Sequence, residues 1–257
     1  MSLKESARRL GHTIHALGTV ESTQIVAARL AVGGAPEGAV VTATHQTGGR
    51  GRRGRTWVDA DGESLLMSVI LRPPVPPEEA SRLSLVGAIA VVDALRAFAG
   101  LPARIRWPND VLVGERKICG ILPEAATSAP ATLAHVILGI GLNVNQSVFA
   151  DPWSTIATSV RMETGRTSDL GEVRESVLAT LDDWYARYLA TGLRGIREPW
   201  LARAHSIGRR ARASDGRVGV VVDLADDGAL VLRMEDGEML RILTGEVTME
   251  AADAARH

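Results

Sequence analysis

Apolar residues recur along the chain in short continuous runs and in helix-like periods, so we predict a mixture of strands and helices. In the first two thirds these elements do not alternate strictly, which favours an α+β fold with a mixed sheet over a doubly wound parallel sheet. Strands are predicted from Thr13 onward and at residues 39–44, 64–71, 104–107, 111–113, 118–124 and 133–142.

Helix signals occur between these runs. Ser22 and Thr23 can cap a helix that reaches Leu30. Prolines and acidic residues at 76–79 open a long helix that ends near Gly100, since both residue types are favoured at a helix N-terminus. A second long amphipathic helix is predicted from 168 to about 190, and a shorter one follows to His205.

The pattern changes after Ser206, where β-rich runs are separated by Asp227-Gly228 and Asp236-Gly237. Such dipeptides are strong hairpin signals. We therefore predict a catalytic domain over residues 1–206 and a small β-barrel over residues 207–257. The runs in question are 209–213, 218–224, 229–234 and 239–249.

Composition excludes several classes of protein. The 257 residues are 46% hydrophobic and carry a net charge of −1, which permits a substantial core and disfavours a generally basic nucleic-acid binder. The lone Cys119 excludes an internal disulfide and a multi-cysteine zinc site. With no signal peptide and no apolar run of roughly 20 residues, we expect a cytoplasmic protein with no membrane partner. Its basic residues are unevenly divided into 27 Arg and 2 Lys, Lys4 and Lys117.

Positive charge and glycine are concentrated in the run Gly-Arg-Gly-Arg-Arg-Gly-Arg-Thr-Trp at residues 49–57, the arginine loop. Guanidinium groups match phosphate and carboxylate oxygens, and Trp57 offers a surface for an aromatic base. The loop is therefore a candidate for closing over an anion. A solvated basic turn, or a segment that binds nucleic acid without sequence preference, would have the same composition.

Three further segments are candidates for chemistry. Asn109 and Asp110 fall between two predicted strands, where a turn would direct both side chains into a cleft, although Pro-Asn-Asp turns are common. Lys117 is a compact charge in a chain that otherwise uses arginine, but a surface lysine at a hairpin edge is the simpler interpretation. Gly139 and Gly141 indicate close approach of a ligand or a β-bulge. Cys119, His45 and His135 are compatible with ordinary packing.

In this order, the segments resemble those of biotin–protein ligases, which attach biotin to carboxylase carrier domains. The resemblance runs from Ser22-Thr23 through the arginine loop, Trp-Pro-Asn-Asp at 107–110 and Lys-Ile-Cys-Gly-Ile-Leu at 117–122, to Gly-Ile-Gly-Leu-Asn-Val-Asn at 139–145. It implies activation of biotin by ATP to biotinyl-5′-AMP, followed by transfer to a carrier lysine. A C-terminal SH3-like barrel also belongs to that family.

For biotin, the resemblance implies polar side chains that bind the ureido ring and a loop that closes over the adenylate. Ser22, Thr23 and Gln46 take the first role. The full implied set of biotin-binding residues is Ser22, Thr23, Gln24, Gln46, Arg50, Gly51, Arg52, Lys117, Gly120 and Gly139.

For ATP, the resemblance places Trp57 on the adenine, Asn143 beside it and Asn109 at the phosphates. Lys117 would contact both the biotin carboxylate and the α-phosphate. Mg²⁺ would accompany ATP near Asp110 without a dedicated protein cage. The implied ATP-binding residues are Arg52, Arg55, Trp57, Asn109, Asp110, Lys117 and Asn143, and the implied catalytic residues are Lys117 and Arg52.

Two residues depart from the family pattern: Gln24 stands where many members have Asn, and Arg106 where Lys is usual. Only 21 residues precede Ser22, too few for a winged-helix domain. We therefore expect the form that is only an enzyme, without a DNA partner, as a monomer or weak homodimer.

Three alternatives stay open at this point. A lipoate or octanoate ligase would share the fold, although the arginine loop that ends in Trp57 disfavours it. A noncatalytic biotin-binding protein would use the same pocket without producing AMP. A nucleic-acid-binding module would use Arg50 to Arg55, and its binding would depend steeply on salt.

Overall fold

The larger of the two sheets has seven strands in the computed structural model, which describes residues 8–245 and 247–250. Residues 1–7 lie outside the described residues. They include Lys4 and the start of the N-terminal segment, for which we predict no signal peptide. The strand order is β1-β2-β3-β7-β6-β5-β4, and β1 pairs parallel to β2 while the other pairs are antiparallel. The strands are β1 Thr13–Val20, β2 Ala39–Gln46, β3 Ser64–Leu71, β4 Arg104–Arg106, β5 Asp110–Val113, β6 Arg116–Ala129 and β7 Thr132–Asn143.

Four α-helices accompany this sheet: α1 Thr23–Val32, α2 Leu83–Ala99, α3 Val160–Thr164 and α4 Leu170–Arg203. Helix α1 connects β1 to β2, because parallel neighbours need a crossover that is longer than a hairpin. Helix α2 is buried along most of its length, and it packs between α4 and the sheet. The α+β class with a mixed sheet is therefore confirmed.

Several boundaries differ from the sequence prediction. The helix predicted from residue 76 begins as a 3-10 turn at Pro77–Arg82 before α2 starts. The two predicted C-terminal helices are confirmed, because α4 is interrupted at Gly192, where φ is +63°, close to the predicted division near residue 190. Strand β6 extends beyond the predicted 124 to Ala129, because pairing with β7 orders a stretch of small residues that has no strong strand signal of its own.

The C-terminal segment forms a five-stranded antiparallel sheet in the order β11-β10-β9-β8-β12. Gly228 and Gly237 have φ near +88° and +87° at the two predicted hairpin turns, so both hairpins are confirmed. The predicted run 239–249 divides into two strands. The domain boundary at 206/207 stays a prediction. The strands are β8 Arg210–Ala213, β9 Val218–Leu224, β10 Leu230–Arg233, β11 Met239–Ile242 and β12 Val247–Met249.

The turn between β9 and β10 attaches this second sheet beside the first. The Trp107 indole Nε1 donates to the Gly228 carbonyl at 3.1 Å, and the Arg82 Nε donates to the Asp227 carbonyl at 3.2 Å. The C-terminal sheet therefore lies next to the segment that carries Asn109. Within residues 8–245 and 247–250, none of the helices has the length and apolar character to cross a membrane.

Candidate active site

A cavity of about 60 Å³ opens between the start of α1, the middle of β3, β6 and β7, and the arginine loop. It is lined by side chains from every segment that carries the family resemblance. All ten residues predicted to contact biotin contribute to its wall, namely Ser22, Thr23, Gln24, Gln46, Arg50, Gly51, Arg52, Lys117, Gly120 and Gly139.

One end of the cavity is a polar cluster at the N-terminus of α1. The Ser22 side chain caps the helix by accepting from the Gln24 backbone N–H, so the predicted cap is confirmed. The Gln46 Oε1 accepts from the Thr23 backbone N–H at 2.8 Å and from its hydroxyl at 3.1 Å. The Thr23 hydroxyl also lies 2.8 Å from that of Ser68. These bonds fix the orientation of the polar groups that face the cavity.

Gln24 reaches across the cavity because Gly139 leaves room for it. A Cβ at Gly139 would lie 2.9 Å from the Gln24 amide carbon. The Gln24 Nε2 donates to the Leu122 carbonyl at 3.2 Å. Its buried Oε1 has no hydrogen-bond partner among the described residues. A buried acceptor without a partner is costly, so this oxygen is suited to accept a hydrogen bond from a bound ligand.

The arginine loop is folded into a small hairpin over the cavity. The Gly51 N–H donates to the Arg55 carbonyl at 2.7 Å, and the Trp57 N–H donates to that of Gly49 at 3.0 Å. A guanidinium nitrogen of Arg52 donates to Asn109 Oδ1 at 3.1 Å, and Arg50 forms an ion pair with Glu124 at 3.4 Å. Arg52 thus contacts the turn that carries Asn109, and Arg50 contacts β6 through Glu124.

Trp57 lies on the glycines of β6 and β7. Gly120 and Gly141 are register partners, and a Cβ would lie 3.1 Å from the indole at the first and 2.7 Å at the second. The β6–β7 pairing is uninterrupted through these positions, so the glycines mark close approach of a side chain rather than a bulge. The Lys117 Nζ lies 5.6 Å from the ring centroid, within cation–π range.

Lys117 is part of a charge network at the edge of the cavity. Its Nζ lies 2.6 Å from Asp110 Oδ1, and the other carboxylate oxygen accepts from Arg106 at 2.7 Å. Burial opposes ionisation of Asp110, but the charges of Lys117 and Arg106 outweigh it and hold the pKa of this carboxyl below its ordinary value. The unusual Arg106 is thus the second cation on Asp110.

This network bears on the predicted Mg²⁺ position. A carboxylate ligand of Mg²⁺ must turn an oxygen toward the ion, since Mg²⁺ demands close octahedral oxygen coordination. Both oxygens of Asp110 already contact cations. Asp110 in this arrangement does not fit the role of a magnesium ligand.

Three predicted ATP-binding residues stand outside the cavity wall. Arg55 is exposed in the arginine loop, and Asp110 lies behind Lys117. Asn143 is buried at the end of β7, where its amide donates to the Thr158 carbonyl at 3.0 Å. Trp57, Asn109, Arg52 and Lys117 do line the cavity, so the structure brings four of the seven predicted ATP-binding residues together with the residues predicted to bind biotin.

Sequence analysis missed the apolar part of the wall. These side chains belong to buried strands that were predicted only as core. Their signal was present in the fully apolar run of β3 and in the glycine-interrupted run of β7, but neither pattern shows which face meets a ligand. The residues are Leu66, Met67, Ile121, Leu122 and Ile140.

The remaining candidates have structural roles. Cys119 is fully buried, and burial raises the pKa of its thiol far above the ordinary range, so it is unsuited to act as a nucleophile. His45 Nδ1 lies 2.8 Å from a carboxylate oxygen of Asp59. His135 is buried on β7, and burial together with Arg72 lowers its pKa.

Comparisons with known proteins agree with this geometry. Residues 17–143 match the biotin/lipoate A/B protein ligase family, and residues 208–249 match the biotin protein ligase C-terminal domain. The biotin–acetyl-CoA-carboxylase ligase of Paracoccus denitrificans is 38% identical over 87% of this chain and 95% of its own. The bifunctional ligase/repressor BirA of Bacillus spizizenii is 37% identical over 91% of this chain and 76% of its own.

Among solved structures, a biotin protein ligase from Aquifex aeolicus in complex with biotin and ATP has a TM-score of 0.80 and 28% identity, covering 94% of this chain and 100% of that one. Sequence and fold therefore agree over both parts of the molecule. The chain belongs to the biotin protein ligases of the biotin/lipoate A/B protein ligase family.

Proposed function

We propose that this chain is an ATP-dependent ligase that activates biotin as biotinyl-5′-AMP and transfers it to a lysine of a biotin carboxyl carrier domain. One observation carries the proposal. A single cavity joins the polar cluster of Thr23, Gln24 and Gln46 to the cationic edge at Lys117 beneath the arginine loop.

The two ends of the cavity match the two ends of biotin. The ureido ring has N–H donors and a carbonyl. The N–H groups suit the Gln24 Oε1, which has no partner among the described residues, and the carbonyl suits the Ser22 hydroxyl, which accepts in the α1 cap and keeps its own hydrogen to donate. The carboxylate at the other end suits the ammonium of Lys117. The dithiolane ring of lipoate has no N–H donor and would leave the Gln24 acceptor unsatisfied, which favours biotin over lipoate.

In the first half-reaction, the biotin carboxylate attacks the α-phosphorus of ATP and pyrophosphate leaves. Because two anions must approach each other, the protein's main tasks are charge neutralisation and alignment. Lys117 would contact the carboxylate and the α-phosphate, with Arg52 and Asn109 beside the phosphates. Mg²⁺ bound to ATP would neutralise phosphate charge, and we assign it no protein ligand.

In the second half-reaction, the amine of the carrier lysine attacks the acyl carbon of the mixed anhydride and AMP leaves. The arginine loop over the cavity would limit access of water to the anhydride between the two steps. Trp57 would support the adenine, with Asn143 and Arg55 on the nucleotide side. A cytoplasmic location, a monomer or weak homodimer and the lack of a DNA partner stay predictions.

Exchange of labelled pyrophosphate into ATP tests the first half-reaction. We expect exchange that depends on biotin and is absent with lipoate or octanoate. Incorporation of labelled biotin into a purified carrier domain, but not into its acceptor Lys→Arg variant, tests the second. Exchange with lipoate in place of biotin would replace the proposal with the alternative ligase, and biotin binding without AMP production would leave a binding protein.

A further inference from the structure

Lysine is scarce in this chain, which has two lysines, Lys4 and Lys117, against 27 arginines. This scarcity matters if the proposed function holds, because biotinyl-AMP acylates amines. The guanidinium of arginine stays protonated at any physiological pH and offers no nucleophilic amine. Lys117 is therefore the one side-chain amine among residues 8–245 and 247–250 that the enzyme's own intermediate could modify.

Lys117 is also well placed for that reaction. Its side chain lines the same cavity as Gln24, Gln46 and Arg52. A Cβ at Gly120 would lie 3.1 Å from Nζ, so the amine rests directly on the floor that β6 provides. An amine held beside a reactive acyl group benefits from a high effective concentration. A neutral Lys117 would consequently compete with the carrier lysine.

Asp110 opposes this side reaction through its ion pair with Lys117. Its Oδ1 lies 2.6 Å from Nζ, and its side chain is only 18% exposed, so solvent screens the contact weakly. The contact is a charge-assisted hydrogen bond that holds the ammonium, which has three donors and no lone pair with which to attack. If Asp110 were removed, Lys117 would lose this partner and Arg106 would remain beside it as a like charge.

We propose that Lys117 is a latent self-biotinylation site and that Asp110 is the positioning residue that prevents its acylation. Without Asp110, Nζ first releases a proton to water and then attacks the acyl carbon of biotinyl-AMP. The C–N amide bond forms while the bond from the acyl carbon to the phosphate oxygen breaks. AMP leaves with the electron pair, and the nitrogen releases a second proton to water. The product is a neutral amide, so the cationic edge of the cavity is lost.

Intact-mass measurement and peptide mapping of the full chain test the proposal. Asp110→Asn, incubated with biotin and ATP without carrier, should gain one biotinyl group at Lys117 about 10-fold faster than wild type, since loss of one charge-assisted hydrogen bond to the ammonium is worth about that factor. The double variant Asp110→Asn/Lys117→Arg should gain none at position 117. Arg106→Gln keeps the ion pair between Lys117 and Asp110, so the rate at which it gains biotin at Lys117 should equal that of wild type. Equal rates in Asp110→Asn and wild type would overturn the proposal.

Synthetic biotinyl-AMP separates this proposal from the proposed function. If wild type forms no biotinyl-AMP from biotin and ATP, the proposed function fails, whereas added biotinyl-AMP still tests protection of Lys117. A measurement on wild type alone needs no folded variant: at pH 8, added biotinyl-AMP should acylate Nα-acetyl-lysine present in the same solution while Lys117 stays unlabelled. Labelling of Lys117 as fast as the free lysine derivative would contradict the protection.

Discussion

The indole of Trp57 rests directly on Gly141, where a Cβ would lie only 2.7 Å from the ring. The second glycine of the Gly-Ile-Gly run is thus explained by a side chain from the arginine loop, 84 positions earlier in the sequence. The absence of a side chain at Gly141, and likewise at Gly120, lets the indole pack directly on the sheet. These contacts determine how closely the arginine loop approaches β6 and β7.

Replacing Gly141 with Ala should displace Trp57 and loosen the loop. We expect adenylation to fall roughly 10-fold or more, because overpacking of this kind costs about 1 to 3 kcal/mol. Single-turnover formation of biotinyl-AMP, together with tryptophan fluorescence on ATP binding, measures both effects. Gly18→Ala is the matched control, since a Cβ there meets no atom within 4 Å. Unchanged kinetics in Gly141→Ala would show that the indole position does not matter.

Lys117→Ala should slow adenylation on the order of 10²-fold, by analogy with removal of one preorganised donor. The variant removes the cation proposed to contact the biotin carboxylate and the α-phosphate. Single-turnover formation of biotinyl-AMP at saturating biotin and ATP is the appropriate measurement, because it separates chemistry from binding. Arg104→Ala, an exposed arginine on β4, serves as the control. A rate close to wild type would remove Lys117 from the mechanism.

Arg52→Ala should mainly release the intermediate, since Arg52 connects the arginine loop to Asn109 at 3.1 Å. We expect free biotinyl-AMP to accumulate in solution several-fold faster than with wild type when no carrier is present. Arg53→Ala is the matched control, because Arg53 is exposed in the same loop and is not part of the cavity wall. Equal release from wild type and Arg52→Ala would argue against a retaining role for this arginine.

Gln24→Ala should weaken biotin binding about 10-fold, equivalent to roughly 1.4 kcal/mol, because it deletes the acceptor proposed for a ureido N–H. Isothermal titration with biotin alone measures this directly. Gln146→Ala is a suitable control for general stability effects, since Gln146 is also buried with an unpartnered amide oxygen but is not among the cavity-lining residues. An unchanged affinity in Gln24→Ala would place the ureido contact elsewhere.

The Asp110 network should appear in the pH dependence of stability. The pKa of Asp110 is lower in the folded protein than the roughly 3.9 of an unfolded chain. The ion pair therefore stabilises the fold fully above that value, and its contribution is lost as pH falls through the lowered pKa. The difference in unfolding free energy between wild type and Asp110→Asn, about 1 to 3 kcal/mol near neutrality, should shrink in urea titrations below about pH 4. A difference that is constant down to pH 3 would contradict the pair.

The structure gives a physical account of the two departures from the family pattern. Arg106 pairs with Asp110 on the side opposite Lys117, so its planar head neutralises the carboxylate and leaves Lys117 facing the cavity. Gln24 is one methylene longer than Asn, and the missing side chain at Gly139 provides the space it needs. Neither relationship follows from residue type alone.

Local signals in the sequence were sufficient to predict most of the helices and strands. Periodicity, the Ser22 cap and the two Asp-Gly turns determine where helices and hairpins form, because these preferences act over a few residues. The family resemblance of the glycine, arginine and lysine segments likewise named residues that line one cavity. The predicted end of one helix near residue 190 agrees with the break of α4 at Gly192, whereas the full length of β6 depends on its pairing with β7 and was not predicted.

Tertiary structure alone decided which charges and side chains meet. The contacts of Lys117 with Asp110 and of Trp57 with Gly141 join residues on different elements, and their distances depend on strand register and loop packing. The apolar part of the cavity wall, which includes Leu66 and Ile140, could not be predicted from the local sequence either. A buried strand face has the same hydrophobic pattern whether it packs against the core or against a ligand. The sequence thus determined the participants, and the register of β6 on β7 determined their arrangement.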